Sequence, residues 1–92
     1  EEDLIYSKLD DKNYVFEGKT QLKDFYRVLD LEEEDISVFE NGKGESETLA
    51  GFLLEQTGHF PRKLDQVPFH NMTFLVEVMD KKRIKQIKCT LA

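Results

Sequence analysis

Two histidines and one cysteine are the first side chains of this sequence to consider for zinc binding or for catalysis with a nucleophile and a base. His59 and His70 lie eleven positions apart with Cys89 further on, and this spacing matches no zinc motif. No local pattern of a nucleophile with its base is present either. We predict that the chain is not an enzyme, with His59 at a helix end, His70 in a turn and Cys89 in the core.

Four consecutive carboxylates, Glu32 to Asp35, are the second feature that could form a site. Carboxylate oxygens are the ligands that Mg²⁺ and Ca²⁺ prefer. Side chains of adjacent residues nevertheless point in different directions unless a turn gathers them, and the spacing of a calcium-binding loop is missing. We predict a solvated charged surface without a metal site, and a bound divalent cation is the alternative.

The stretch "ENGKGES", residues 40–46, places glycines and a lysine before a helix. Backbone N–H groups at a helix start bind phosphate, so this stretch is a candidate phosphate loop. The spacing of the nucleotide-binding loop GxxxxGK[ST] is absent, however, and so is GxGxxG. We predict a flexible charged loop, with phosphate binding as the alternative.

Length and composition favour one globular domain over residues 1–92. The chain has seven Phe and a formal charge of −6, which disfavours nucleic acid as a partner. It has one cysteine, so no internal disulfide forms and a reducing compartment is expected. No apolar run is long enough to span a bilayer. The acidic start without methionine suggests a fragment of a longer protein.

The C-terminal region carries a concentration of positive charge in this acidic chain. Two interpretations are open: a sheet edge that lysines protect against aggregation, or a contact surface for an acidic partner or anionic lipid. The residues are Lys81, Lys82, Arg83, Lys85 and Lys88.

The first half of the chain predicts a β-hairpin and a helix. Leu4 to Leu9 and Asn13 to Glu17 are β-prone and are separated by a polar turn. Gly18 ends the second strand, and Thr20 is the predicted N-cap of a helix. An apolar stripe at helical spacing follows: Leu22, Phe25, Tyr26 and Leu29. The pattern then fades, and Asp30 to Glu45 is predicted as mainly a loop.

The second half predicts another helix followed by three strands. Ser46 is the predicted N-cap of this helix, Gly58 its C-terminal residue and Pro61 the block to its continuation. Its apolar face is Leu49, Phe52 and Leu53. The strands are Gln66 to Phe69, Met72 to Met79 and Ile84 to Leu91. Met72, Phe74, Val76 and Val78 alternate onto one face, and a bulge near Lys85 or Gln86 brings Ile84 onto the same face as Ile87.

The predicted fold class is α+β, with the element order β-β-α-α-β-β-β. A small antiparallel or mixed sheet carries two helices on one face, because helices grouped between strands favour that architecture. Gly51 interrupts the second helix at a cost of about 1 kcal/mol relative to alanine. We predict that it lets this helix approach the sheet or the first helix closely.

Three stretches together resemble the transporter-associated domain of the CorC/HlyC family. They are "YVFEGKTQLKDFYRVLDL" (14–31), "ETLAGFLLEQTGHFP" (47–61) and "FLVEVMDKKRIKQIKC" (74–89). Their order and spacing cover nearly the whole chain. The residues that match the family motif are Gly18, Leu49, Gly51, Gly58, Pro61, Arg83 and Ile84. Leu64 stands where the family usually has glycine, so the turn after Pro61 is expected to differ, and the acidic loop is longer than usual.

This resemblance implies a fold related to one domain of FAD-binding oxidoreductases and a place in a membrane protein that also contains a CBS pair. It further implies the cytoplasmic side of the inner membrane and a magnesium and cobalt efflux or haemolysin-like protein, with no catalytic residues to transfer. We predict a non-catalytic regulatory or interaction domain without a cofactor. Its partners are the CBS pair, the membrane domain or a second copy, with the basic hairpin, Phe39 and the turn at Pro61 as contacts. A flavin-binding or adenine-nucleotide-binding domain, with a pocket at the Ser46 helix start, is the alternative.

Overall fold

One open antiparallel sheet forms the base of the molecule in the computed structural model, which describes residues 6–81 and 83–92. Its strand order is β1-β2-β5-β4-β3, and all neighbouring strands run antiparallel. The strands are β1 (Tyr6–Lys8), β2 (Asn13–Glu17), β3 (Gln66–Phe69), β4 (Met72–Asp80) and β5 (Arg83–Leu91). These strands confirm the predicted ones, except that the predicted start at Leu4 and the hairpin residue Lys82 lie outside the described residues.

The pairing of β4 with β5 becomes irregular near their shared turn. Gln86 and Ile84 pair with consecutive residues of β4, so Lys85 between them is an extra residue on β5. This confirms the predicted bulge, which lets Ile84 and Ile87 both face the core. The register of β4 shifts as well, and Val78 is exposed. The prediction that Val78 belongs to the core face is wrong for this reason.

Three helices, not two, connect β2 to β3: α1 (Leu22–Leu29), α2 (Glu33–Gly42) and α3 (Leu49–Thr57). The predicted loop over Asp30 to Glu45 is wrong, because α2 occupies most of it. The acidic run explains the helix, since Glu33 and its two acidic neighbours fill the first turn, where the unpaired N–H groups favour negative charge. The observed order is therefore β-β-α-α-α-β-β-β.

The predicted N-caps lie slightly too early in the sequence. The N-cap of α1 is Gln21, which makes no side-chain capping bond, and not Thr20. The N-cap of α3 is Thr48 and not Ser46, and its hydroxyl accepts a hydrogen bond of 3.1 Å from the N–H of Gly51. The C-terminal prediction is confirmed: Gly58 has φ 72°, and its N–H donates to the Leu54 carbonyl.

The helices pack on one face of the sheet around an aromatic core, and the α+β class is confirmed. Alternate strand residues such as Phe16, Phe74 and Ile87 share this core with residues of all three helices. Five phenylalanines have no exposed surface: Phe16, Phe25, Phe39, Phe52 and Phe74. Phe39 of α2 packs against Phe25 and Phe52 at ring-centroid distances of 5.6 and 5.2 Å. The third helix therefore completes the core.

Candidate interaction groove

The starts of α1 and α3 lie side by side and satisfy each other's backbone groups. The N–H of Leu49 donates to the carbonyl of Thr20 at 2.9 Å, and the N–H of Leu22 donates to the carbonyl of Glu47 at 2.8 Å. Two N–H groups that a helix start leaves without intrahelical partners are thus paired by the opposite segment. This exchange fixes the two helices relative to each other at one place, which we call the glycine junction because Gly18 lies beside it.

Gly18 lies in close backbone contact with two elements at the glycine junction. Its N–H donates to the carbonyl of Lys85 at 2.9 Å, and its own carbonyl accepts from the N–H of Ala50 at 3.0 Å. A Cβ atom on Gly18 would lie 2.0 Å from the carbonyl oxygen of Ile84. No side chain fits at that distance, so glycine is required here by close approach.

The prediction that Gly51 lets α3 approach the sheet or α1 closely is wrong, because its nearest neighbours belong to neither. A Cβ atom there would meet Ser46 at 3.2 Å from its Oγ and Thr48 at 3.3 Å from its Oγ1. Both residues belong to the segment that leads into α3 and not to the sheet or α1. Gly51 lies close to its own N-terminal capping segment, whereas the close approach to the sheet is made by Gly18.

A groove of about 550 Å³ opens beside the glycine junction. It lies between the end of β2, the start and middle of α3, and the turn from β4 into β5. Its volume is within the range of small-molecule and cofactor sites, about 300–1,000 Å³. The lining residues are Glu17, Gly18, Lys19, Thr48, Ala50, Leu54, Phe60, Asp80, Arg83, Ile84 and Lys85.

Two large apolar side chains of the groove are open to solvent. Leu54 of α3 is 40% exposed, and Phe60, just after the helix, is 46% exposed. The neighbouring Pro61 is fully buried, so the prediction that the Pro61 turn offers the contact is wrong for the proline itself. Phe39, also predicted as a contact, is fully buried too. Sequence reasoning missed Leu54 and Phe60, although Leu54 lies off the apolar face of the predicted helix.

The rim of the groove carries both signs of charge, with cations in excess. Lys19 forms an ion pair of 3.6 Å with Glu17. Arg83 and Lys85 are exposed and form no ion pair with any other residue in the described part of the chain, and Asp80 likewise forms none there. Arg83 and Lys85 are therefore available to an acidic group entering the groove.

The structure divides the seven motif residues between two places. Gly18, Arg83 and Ile84 line the groove, and Leu49 and Gly51 lie in the first turn of α3 beside it. Leu49 is buried in the core. The remaining two lie around the other end of α3: Gly58 is its C-cap, and Pro61 is fully buried.

At the start of α3, where the alternative of a nucleotide pocket near Ser46 was expected, the backbone N–H groups already have partners within the protein. The N–H groups of Leu49 and Ala50 donate to Thr20 and Gly18, and that of Gly51 donates to its own cap. These three donors are therefore occupied by acceptors of the protein itself. The stretch 40–46 is likewise not a loop throughout, because α2 extends to Gly42.

Lys43, the lysine of the alternative phosphate-loop interpretation, lies close to two carboxylates. The Nζ of Lys43 lies 3.9 Å from Glu40 and 3.5 Å from Glu47. The charge of Lys43 is therefore compensated by Glu40 and Glu47 within the protein. The side-chain amide of Gln56 donates to the Gly42 carbonyl at 2.6 Å and ties the end of α2 to α3.

The histidines and the cysteine lie in three separate places. His59 is exposed, and its Nδ1 lies 3.2 Å from the carbonyl oxygen of Phe60. His70 lies in the turn between β3 and β4, as predicted, and its Nε2 is 2.6 Å from a carboxylate oxygen of Asp35. Cys89 is fully buried, as predicted, and burial raises the pKa of its thiol to about 12.

Residues 6–81 and 83–92 contain no group of three or more His, Cys, Asp and Glu side chains arranged to hold a metal ion. The acidic run does not gather its carboxylates, because they lie along the first turn of α2. None of the helices described combines the length and apolar character required to cross a bilayer.

The family assignment follows from the sequence comparison. The profile described as "Transporter associated domain" (CorC_HlyC) matches residues 7–92. The chain belongs to the CorC_HlyC transporter associated domain family. This confirms the resemblance of the three motif stretches. The matched family is one of transporter-associated domains and is not known as a catalytic family.

Solved domains of this family have the same fold. The transporter associated domain of a CBS domain protein from Porphyromonas gingivalis superposes with a TM-score of 0.83, is 37% identical, and is matched over 94% of this chain and 95% of that one. The region associated with a putative Mg²⁺ and Co²⁺ transporter (CorC) from Neisseria meningitidis superposes with a TM-score of 0.76 over 95% of this chain and 98% of that one. At 17% identity, this second likeness concerns the fold alone.

Curated relatives are much longer than this chain. The polyamine export protein of Escherichia coli K12 is 32% identical over 81 residues, which is 88% of this chain. The chain spans only 17% of the length of that protein. The likeness therefore concerns one domain of a transporter-type protein, and the activity of the whole protein is a separate question.

Proposed function

We propose that this chain is a non-catalytic regulatory and interaction domain of a CorC/HlyC-type ion transporter or haemolysin-like membrane protein. Membership of a transporter-associated family supports the association with transport. The observation that carries the interaction role is the groove, where Leu54 and Phe60 are exposed next to Arg83 and Lys85. Apolar side chains open to solvent inside a concavity rimmed by charge are typical of a binding surface.

In this proposal the domain lies on the cytoplasmic side of the inner membrane and contacts another part of the parent protein. The candidate partners are a CBS pair, the cytoplasmic end of a membrane domain, or a second copy of the domain. The transported ion in this proposal is magnesium or cobalt. The resemblance to the CorC/HlyC family motifs supports this choice, whereas the name of the Escherichia coli relative points to polyamines.

The interaction role predicts binding in trans. The rest of the parent polypeptide is purified without this domain, and its binding to the isolated domain is measured by biolayer interferometry. We expect saturable binding that weakens in the Leu54→Glu variant. A matched control is Leu9→Glu, because Leu9 is also an exposed leucine but does not line the groove. Absence of binding by the unaltered domain would contradict the proposal.

We also propose that the domain works without a bound cofactor. The occupied N–H groups at the start of α3 support this, because a phosphate group there would have to compete with existing hydrogen bonds. The groove has the volume for a ligand, so flavin and adenine nucleotides are the appropriate probes. We expect an unchanged melting temperature with FMN, FAD or ATP, and a rise with any of them would contradict this proposal.

A further inference from the structure

The groove has an apolar part formed by side chains from three elements. Ala50 and Leu54 come from α3, Phe60 from the segment after it, and Ile84 from β5. Ile84 is buried, so it closes the floor, whereas Leu54 and Phe60 remain open. Covering these two side chains would remove apolar area from water, which favours association in proportion to the area buried. The occupant must therefore bring a bulky apolar group.

The charged part of the groove indicates which polar groups accompany that apolar group. Arg83 and Lys85 form no ion pair within the described residues, whereas Lys19 is already paired with Glu17; the acidic Asp80 is also without an ion pair there, so the two cations outnumber it. Lys81 and Lys82 precede Arg83 in the sequence, so this region concentrates positive charge in a chain whose formal charge is −6. Charge complementarity favours carboxylates as the groups that approach this rim.

We infer that the groove binds an acidic amphipathic polypeptide segment, which places a bulky apolar side chain against Leu54 and Phe60 and carboxylates beside Arg83 and Lys85. This inference rests on the proposed interaction function and names the chemistry of the partner. A bilayer is disfavoured as the occupant because a flat lipid surface does not enter a concavity. Binding to anionic vesicles is nevertheless kept as an outcome of the test.

Two designed hexapeptides test the inference without knowledge of the natural partner. One is Glu-Glu-Phe-Leu-Glu-Glu, and the other is Lys-Lys-Phe-Leu-Lys-Lys with the same apolar centre. Each is titrated into the ¹⁵N-labelled domain to about 1 mM, where chemical-shift changes still detect a complex with a Kd of about 1 mM. We expect the acidic peptide to shift the amides of Gly18, Ala50, Leu54, Arg83 and Lys85, and the basic peptide to bind at least tenfold more weakly.

Charge reversal makes the test specific to the rim. The double variant Arg83→Glu, Lys85→Glu is expected to bind the acidic peptide about tenfold more weakly and to prefer the basic one. Leu54→Glu is expected to weaken both peptides. Lys23→Glu and Leu9→Glu are the matched controls, because both residues are exposed and neither lines the groove. Circular dichroism and thermal melting verify that every variant is folded.

Several results would overturn the inference. They are equal binding of the two peptides, shifts outside the groove, no shifts at the highest concentration, or stronger binding to vesicles of phosphatidylglycerol than to the acidic peptide. Chemical-shift changes of the groove amides that grow with protein concentration in the absence of peptide would identify a second copy as the occupant. This result would also overturn the inference. Peptide binding without binding to the parent protein would leave this inference intact and contradict the proposed function. Binding to the parent protein without peptide binding would support the proposed function and overturn this inference.

Discussion

Two regions of the molecule hold the helices on the sheet by different means. One is the aromatic cluster, formed by Phe25, Phe39, Phe52, Phe69 and Phe74, with ring centroids as close as 4.9 Å. The other is the glycine junction, where the backbone of Gly18 contacts Ile84, Lys85 and Ala50. In the aromatic cluster, large side chains fill the space between helices and sheet. At the glycine junction, the backbone segments lie close together because Gly18 has no side chain.

The difference explains why the groove lies where it does. In the aromatic cluster, side chains from the helices and the sheet interdigitate, and the rings of Phe39, Phe52 and Phe74 have no exposed surface. At the glycine junction, backbone hydrogen bonds hold the elements together without bulky side chains between them. The space beside the contact is therefore left open, and it is lined by Leu54 and Phe60.

Phe39→Ala gives the largest expected effect, because it removes the centre of the aromatic cluster. Phe39 is fully buried and contacts Phe25, Phe52 and Phe69. We expect a loss of about 4 kcal/mol in the free energy of unfolding, as for other buried phenylalanines replaced by alanine. Urea unfolding measures it. A loss below about 1 kcal/mol would show that α2 contributes little to the core and would remove one side of the comparison.

Gly18→Ala tests the glycine junction. The added Cβ would lie 2.0 Å from the Ile84 carbonyl oxygen, so the backbone must move. We expect a loss of about 3 kcal/mol, the upper end of the usual overpacking cost, measured by the same unfolding experiment. Gly51→Ala is the control, because the heavy atoms nearest to its Cβ would be side-chain atoms of Ser46 and Thr48, at 3.2 Å or more. We expect Gly51→Ala to change stability by less than about 1 kcal/mol, since the gain in helix propensity offsets the crowding. Equal losses for the two variants would contradict the distinction.

The Cys89 thiol reports how tightly the core near the aromatic cluster is closed. Burial raises its pKa from 9.0 to about 12, so the folded state keeps the proton that the unfolded state releases. Stability is therefore unaffected below about pH 9 and falls between pH 9 and pH 12, by about 1.4 kcal/mol per pH unit for this group. We expect a thiol reagent such as DTNB to react at pH 8 only as fast as the chain unfolds. Rapid reaction in native buffer, as fast as in urea, would contradict a closed core.

Leu64→Gly gives the smallest expected effect and lies outside both regions. Leu64 has φ 73° and is 64% exposed, so it adopts a left-handed conformation without much compensating burial. That conformation costs a non-glycine residue about 1–2 kcal/mol, and the greater freedom of glycine in the unfolded chain offsets part of the gain. We expect a net stabilisation of about 0.5 kcal/mol in thermal or urea unfolding. A destabilisation would indicate that the leucine side chain contributes packing at this turn.

The backbone conformation of Leu64 gives a physical reason for glycine at this position. The family resemblance implies glycine at position 64, and the left-handed φ of Leu64 is one that glycine adopts freely. Its N–H donates to the Val76 carbonyl, so the turn is joined to β4. Leucine is accommodated here in a conformation that favours glycine.

Local pattern was sufficient to predict much of the fold. The alternation of Phe74 and Val76, the stripe from Leu22 to Leu29 and the terminating Gly58 predicted strands, a helix and a helix end that the structure contains. The parity of Ile84 against Ile87 even predicted the bulge at Lys85. These successes share one cause, because each signal lies within a few residues of the feature that it predicts.

The sequence analysis missed α2 because the residue pattern of this segment fits a loop as well as a helix. Glu33, Glu34 and Asp35 fit a solvated loop as well as a helix start, and α2 places one fully buried residue, Phe39, in the core. The packing of Phe39 against Phe25, Phe52 and Phe69 stabilises the helix, and Ile36 also packs against the core. Tertiary contacts therefore decided its conformation.

The sequence alone established the fold class, the strand positions and the family, because periodicity and motif spacing are properties of the chain. The tertiary structure decided which glycine permits close packing and where the groove opens. Gly51 interrupts a helix and is conspicuous in sequence, yet Gly18 is the residue pressed against Ile84. Gly18 and Ile84 lie far apart in the chain. The sequence shows that position 18 has no side chain, but only the tertiary structure shows that the Ile84 backbone occupies the space where a side chain would lie.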